Sequence, residues 1–83
     1  MPSESKLPAI GSREVIAALE RCDFKMDHQK GSHVKMVRQV LGSKYPVIVP
    51  HPYPRLSYGT LKSIIAKVER AGVSAEQFLS KIK

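Results

Sequence analysis

The chain has 83 residues, 14 Lys and Arg against 7 Asp and Glu, and a formal net charge of +7. That length holds one hydrophobic core and no second domain, and with no tryptophan the core should be small and mostly Val, Ile and Leu; one cysteine cannot form an internal disulfide, and four-ligand zinc spacing is absent. No apolar run approaches the ~20 residues of a membrane span and the N-terminus shows no apolar signal segment, so the expected setting is the cytoplasm, away from membranes.

The charge is unevenly placed. Residues 24–67 carry Lys25, Lys30, Lys35, Arg38, Lys44, Arg55, Lys62 and Lys67 against Asp27 alone, and the same region holds all three histidines. A basic concentration of this kind attracts phosphate polyanions or an acidic protein partner. The carboxylates are scattered, so the paired acids of a two-metal nuclease are missing and neither a metal site nor a cofactor is expected.

Residues 1–11 read as a polar lead-in with Pro2 and Pro8, and residues 12–83 as the single domain. Ser12 is the expected cap of a first helix over about Arg13 to Arg21, with Val15, Ile16, Leu19 and Cys22 as one apolar stripe. Cys22 is therefore a core residue. Phe24 to His28 alternates apolar and polar as a half-buried strand does. His33 to Val40 forms a second strand with Val34 and Met36 on one face, and His33, Lys35 and Val37 on the other. Leu41-Gly42-Ser43-Lys44 is a hairpin turn leading to a third strand, Tyr45 to Val49, where Pro46 suits a strand start or an edge.

The prolines of His51-Pro52-Tyr53-Pro54-Arg55-Leu56 forbid regular pairing, and Tyr53 and Tyr58 are expected to pack onto the domain. Ser57 caps a second helix whose buried stripe is Leu61, Ile64, Ile65 and Val68, and Gly72 ends it. Ser74 and Gln77 form a capping box for a last short helix, with Val73 and Phe78 as its hydrophobic staple. The order is α-β-β-β-α plus a short C-terminal helix, an α+β domain with helices on one face of a three-stranded antiparallel sheet.

The chemistry points to Asp27-His28-Gln29-Lys30-Gly31-Ser32-His33. His33 follows a Lys-Gly-Ser turn at the mouth of a strand, and free histidine, with a pKa of ~6.5, both takes and gives a proton near neutrality. Gly31 lets the backbone approach a ligand closely, and Lys30 supplies a cation.

These residues carry a resemblance. Gln29-Lys30-Gly31-Ser32-His33, Gly59-Thr60-Leu61-Lys62-Ser63-Ile64, Val49-Pro50 with a histidine close behind, and the Ala71-Gly72-Val73-Ser74 junction occur in order. From about Leu7 to Ile82 the chain resembles the HicA family of small bacterial toxins, the mRNA interferases of HicA–HicB toxin–antitoxin systems. The resemblance implies a fold like that of double-stranded-RNA-binding domains and a metal-independent endoribonuclease. It also implies an essential histidine, here His33, and a HicB-like antitoxin partner. Many relatives have a second histidine directly after the first; Val34 occupies that position here, so a scheme of two adjacent histidines does not apply.

RNA carries its own nucleophile in the 2′-hydroxyl, so cleavage needs a base, an acid and positive charge for the transition state. On this reading His33 transfers protons, and Lys30, Gly31 and Ser32 hold the phosphate. Lys35, His28, His51 and Lys62 are further RNA-binding candidates; His28, across the turn, is either a second proton carrier or simply an exposed residue. Arg38 falls on the face opposite Lys35. The alternative function is a non-catalytic binder of structured RNA using the same basic face. No helix carries the basic stripe of a major-groove reader, so specific DNA binding by this chain alone is not expected.

Overall fold

The computed structural model describes residues 10–82, so most of the expected lead-in lies outside the described residues. The elements run α1 (Ser12–Arg21), β1 (Lys25–Lys30), β2 (His33–Val40), β3 (Ser43–Pro50), α2 (Tyr58–Arg70) and α3 (Ala75–Ser80). The strands form one antiparallel sheet in the order β1-β2-β3. This is the expected α+β order, with the helices gathered on one face of the sheet.

Alternation along the strands decides that face. Val34 opposes Val49 and Met36 opposes Val47, and all four are at most 1 % exposed. Val15, Ala18 and Leu19 of α1, Leu61, Ile64 and Val68 of α2, and Phe78 of α3 complete the same core. Each large aliphatic side chain buried there contributes ~1.5–3 kcal/mol relative to exposure. The intervening residues form the opposite face, where Lys35 opposes Ile48 and His33 opposes Pro50. Ile48 is 48 % exposed, as expected of a face without a helical cover.

Three local expectations are corrected. The first concerns the half-buried strand over Phe24 to His28. Phe24 is buried but precedes the strand, and every residue of β1 is exposed. The reason is lateral: α1 and α2 pack against β3, so β1 forms the far edge of the sheet and Met26 stays half exposed.

The second concerns Ser12. The N-cap of α1 is Gly11, whose N–H donates to the Glu14 carboxylate at 3.1 Å. Ser12 is the first helical residue and is buried. Its hydroxyl donates to the Pro50 carbonyl at 2.6 Å and accepts from the Tyr53 N–H at 2.9 Å. Its own N–H donates to the Tyr53 carbonyl at 2.9 Å. A serine that fastens the helix to the end of β3 satisfies polar groups that burial would otherwise strand.

The third concerns the second hairpin. The turn is two residues, Leu41-Gly42, with Val40 paired to Ser43 and φ of 51 and 85°. Two successive left-handed residues mark a type I′ turn, whose twist suits a tight hairpin. The third strand therefore starts earlier than Tyr45.

The helix ends follow the sequence closely. Ser57 and Ser74 accept from the N–H groups of Thr60 and Gln77 at 3.1 and 3.0 Å. Gly72 follows α2 at φ 93°, the left-handed position that glycine fills without strain. Arg38, on the covered face of β2, donates through Nη1 to the Ala71 carbonyl at 2.6 Å and through Nε to the Cys22 carbonyl at 3.2 Å. One guanidinium thereby ties the C-terminal caps of α1 and α2 to the sheet.

Candidate functional site

The turn between β1 and β2 is Gly31-Ser32, with Lys30 paired to His33. Gly31 has φ 58° while Ser32 keeps an ordinary negative φ, the pattern of a type II′ turn with glycine at its first central position. A Cβ added at Gly31 would meet nothing within 4 Å, so the glycine is required by backbone conformation and not by crowding. The Ser32 carbonyl accepts from the His51 N–H at 2.8 Å, which anchors the turn to the segment leaving β3.

His33 opens β2 on the uncovered face, exposed to solvent. Lys30 lies directly across from it on β1, and Lys35 is the next residue on its own face of β2. Of the candidates read from sequence, the structure gathers His33, Lys30, Gly31, Ser32, Lys35 and His28 at this end of the uncovered face. The presence of His28 there depends on a break in register: Met26 opposes Met36, yet His28 opposes Lys35. Asp27 is the extra residue. Its Oδ2 lies 3.3 Å from His28 Nδ1 and 3.8 Å from Lys35 Nζ. Sequence reasoning passed over Asp27 as a site residue; its isolation in a basic segment was the available signal.

Two candidates are not on that face, although the His51 backbone flanks the turn. His51 lines a cleft of about 350 Å³ with Ser12, Arg13, Glu14 and Tyr53 at the N-terminus of α1. Its Nδ1 is shielded and has no hydrogen-bond partner. Lys62 is exposed on α2, beyond the sheet from His33, with Nζ 5.4 Å from the Tyr58 ring centroid in a cation–π contact. The expected packing of Tyr53 and Tyr58 is partial, since they are 48 and 44 % exposed.

Cys22 is buried, as expected, and that burial pushes its thiol up from the ordinary value; the nearby Lys81 and Arg38 cations pull the other way. A neutral thiol under α1 is a core group and no nucleophile. Among the described residues, no three His, Cys, Asp and Glu side chains gather into a set that could hold a metal ion, and no helix is long and apolar enough to cross a membrane.

The arrangement offers two imidazoles, two ammonium groups, one carboxylate and a glycine turn on an open surface, which suits an extended anionic ligand better than a small enclosed one. A search of curated proteins finds no match, whereas the family model described as HicA toxin of bacterial toxin–antitoxin matches residues 12–73. The match takes in both hairpins, α2 and the whole His33 end of the sheet, so the chain belongs to the HicA toxin family, the toxin side of a toxin–antitoxin pair.

Proposed function

We propose that this toxin is a metal-independent endoribonuclease that cleaves mRNA, with His33 transferring a proton in the cleavage step. The observation that carries the reading is an exposed His33 beside a glycine turn on an uncovered, lysine-bearing sheet face. The 2′-hydroxyl of the substrate is the nucleophile, so the protein must move protons and neutralise charge on phosphorus. Lys30, Lys35 and the backbone N–H groups at Gly31 and Ser32 bind the phosphate, and His51 and Lys62 touch RNA beyond the reacting linkage. A HicB-like antitoxin of acidic contact surface covers this face and competes with RNA. The site of action is the cytoplasm, where mRNA and antitoxin are both at hand.

The test is incubation of the purified chain with end-labelled RNA in EDTA. Fragments with 2′,3′-cyclic phosphate and 5′-hydroxyl ends are expected, and His33→Ala should lower the rate by ~10²–10⁴. Products with 5′-phosphate ends, or undiminished cleavage by the variant, refute the mechanism. Salt-dependent binding without fragments would instead identify a non-catalytic RNA binder.

A further inference from the structure

A ladder without interruption would put His28 on the helix side of the sheet, two residues on from Met26 and on its face. The register step between Met26 and His28 prevents this. Asp27 and His28 together oppose Lys35, a β-bulge that turns His28 to the uncovered face. Lys30, the next residue of β1 on that face, lies directly opposite His33. His28 and His33 are thus diagonal neighbours across the hairpin, a relation that sets backbones about 7–8 Å apart. The bulge residue itself supplies a carboxylate 3.3 Å from His28 Nδ1.

We propose that His28, oriented by Asp27, is the second proton carrier of RNA cleavage, working on the opposite side of the scissile phosphate from His33. The assignment rests on the endoribonuclease reading above. In the step, the 2′-oxygen forms a bond to phosphorus as its proton passes to one imidazole. The bond from phosphorus to the 5′-oxygen breaks, its electron pair stays on that oxygen, and the oxygen takes a proton from the other imidazole. No proton is gained or lost overall. The two rings leave the step with exchanged protonation states, which solvent then restores. Asp27 is a positioning residue: by accepting Nδ1–H it leaves Nε2 as the nitrogen presented to RNA. Lys35, 3.8 Å from the same carboxylate, and Lys30 stand ready for the charge that grows on the phosphate. The side chains of His28 and Asp27 are 57 and 50 % exposed, and a pair so open to water contributes little to stability. Support of the fold is therefore a weak reason for it.

The experiment compares the wild-type chain with His28→Ala, His33→Ala, Asp27→Asn and the Asp27→Asn/His28→Ala double variant. The substrates are an RNA cut by the wild type and the same RNA with a bridging 5′-sulfur at the mapped linkage. A thiolate leaves without protonation, so the sulfur rescues the variant lacking the acid and not the one lacking the base. His28→Ala should slow cleavage of normal RNA by ~10²–10⁴, and the sulfur should restore one alanine variant and leave the other slow. Asp27→Asn should lower kcat with KM little changed, and add nothing to His28→Ala, because it acts through that ring. If His28→Ala cleaves at the wild-type rate while His33→Ala is inactive, the inference fails and the endoribonuclease reading stands. Rescue of both alanine variants or of neither overturns the acid–base division, and full additivity of Asp27→Asn removes its positioning role. A wild-type chain that yields no fragments overturns the function and the inference together.

Discussion

Replacing Arg38 with methionine should destabilise the domain without touching its chemistry. Methionine retains most of the apolar stem, so the change isolates the guanidinium. That group donates to the carbonyls of Ala71 and Cys22 at 2.6 and 3.2 Å, and both residues are buried, at 2 and 6 % exposure. A hydrogen bond from a charged donor is worth ~1.5–3 kcal/mol, and an acceptor left buried without one costs a similar amount. The two bonds share one side chain and are not independent, so their joint loss should come to about 2–4 kcal/mol. For a domain of this size that lowers Tm by roughly 10–25 °C. Thermal and urea unfolding followed by circular dichroism would measure it, with an unchanged denaturant slope showing that the folded state is still the same. Arg38→Lys should recover only part of the loss, since one ammonium cannot fork to two carbonyls. Below the lowered midpoint, RNA cleavage by the methionine variant should match wild type. A midpoint within about 2 °C of wild type, equivalent to under ~0.5 kcal/mol, would refute the tie between the two helix ends.

Ser12→Ala should cost about 1–3 kcal/mol in urea unfolding, because the Pro50 carbonyl and Tyr53 N–H lose a buried partner; a smaller loss would mean that water replaces the hydroxyl. Leu41 is fully exposed at φ 51°, so Leu41→Asn should stabilise the hairpin by ~0.5–1 kcal/mol by relieving a left-handed leucine, and an unchanged midpoint would count against that strain. Burial raises the Cys22 thiol above its ordinary value of 9.0, so the folded chain keeps the proton longer than the unfolded chain does. Its contribution to stability is therefore full below pH 9.0 and lost as pH rises further. Cys22→Ala should show a shallower alkaline fall in Tm, and the wild-type thiol should react with alkylating reagents only as the protein unfolds.

The helices were legible in sequence because their signals are local. Ser57 and Ser74 lie where a capping hydroxyl is needed, Gly72 where a left-handed residue is needed, and the stripe of Leu61, Ile64 and Val68 repeats with the helical period. The sequence reads Leu41-Gly42 as part of a four-residue turn; leucine is a poor left-handed residue, and the tight hairpin overrides its preference. Ser12 departs from its expected capping role for another reason. A serine before an apolar stripe looks like a cap, and its long-range partners, Pro50 and Tyr53, could not be seen without the tertiary fold. The same holds for Arg38: its face followed from alternation, but the two helix ends it meets are set by packing. His51 and Lys62 belonged to the basic middle of the sequence and yet fall outside the uncovered face, because the connector and α2 lie off that side of the sheet.

The Asp27 bulge illustrates why a site can be less legible than the fold that carries it. Alternation assigns faces by counting, and one inserted residue reverses the parity of everything beyond it. With Asp27 left out, the pairs from Lys25 opposite Val37 to Lys30 opposite His33 would follow one another without a gap. The ladder therefore does not need this residue. Edge strands tolerate bulges because only one side of the strand is paired, and a bulge there also discourages pairing with another chain. β1 is such an edge, exposed along its whole length, and Asp27 is the single carboxylate in the three strands. Placing the one acidic side chain at the one register step, against a histidine on the same face as His33, gives the insertion a chemical use that hairpin formation does not supply. Helix-bearing core residues decide that the sheet forms; the uncovered edge is free to decide what the sheet presents.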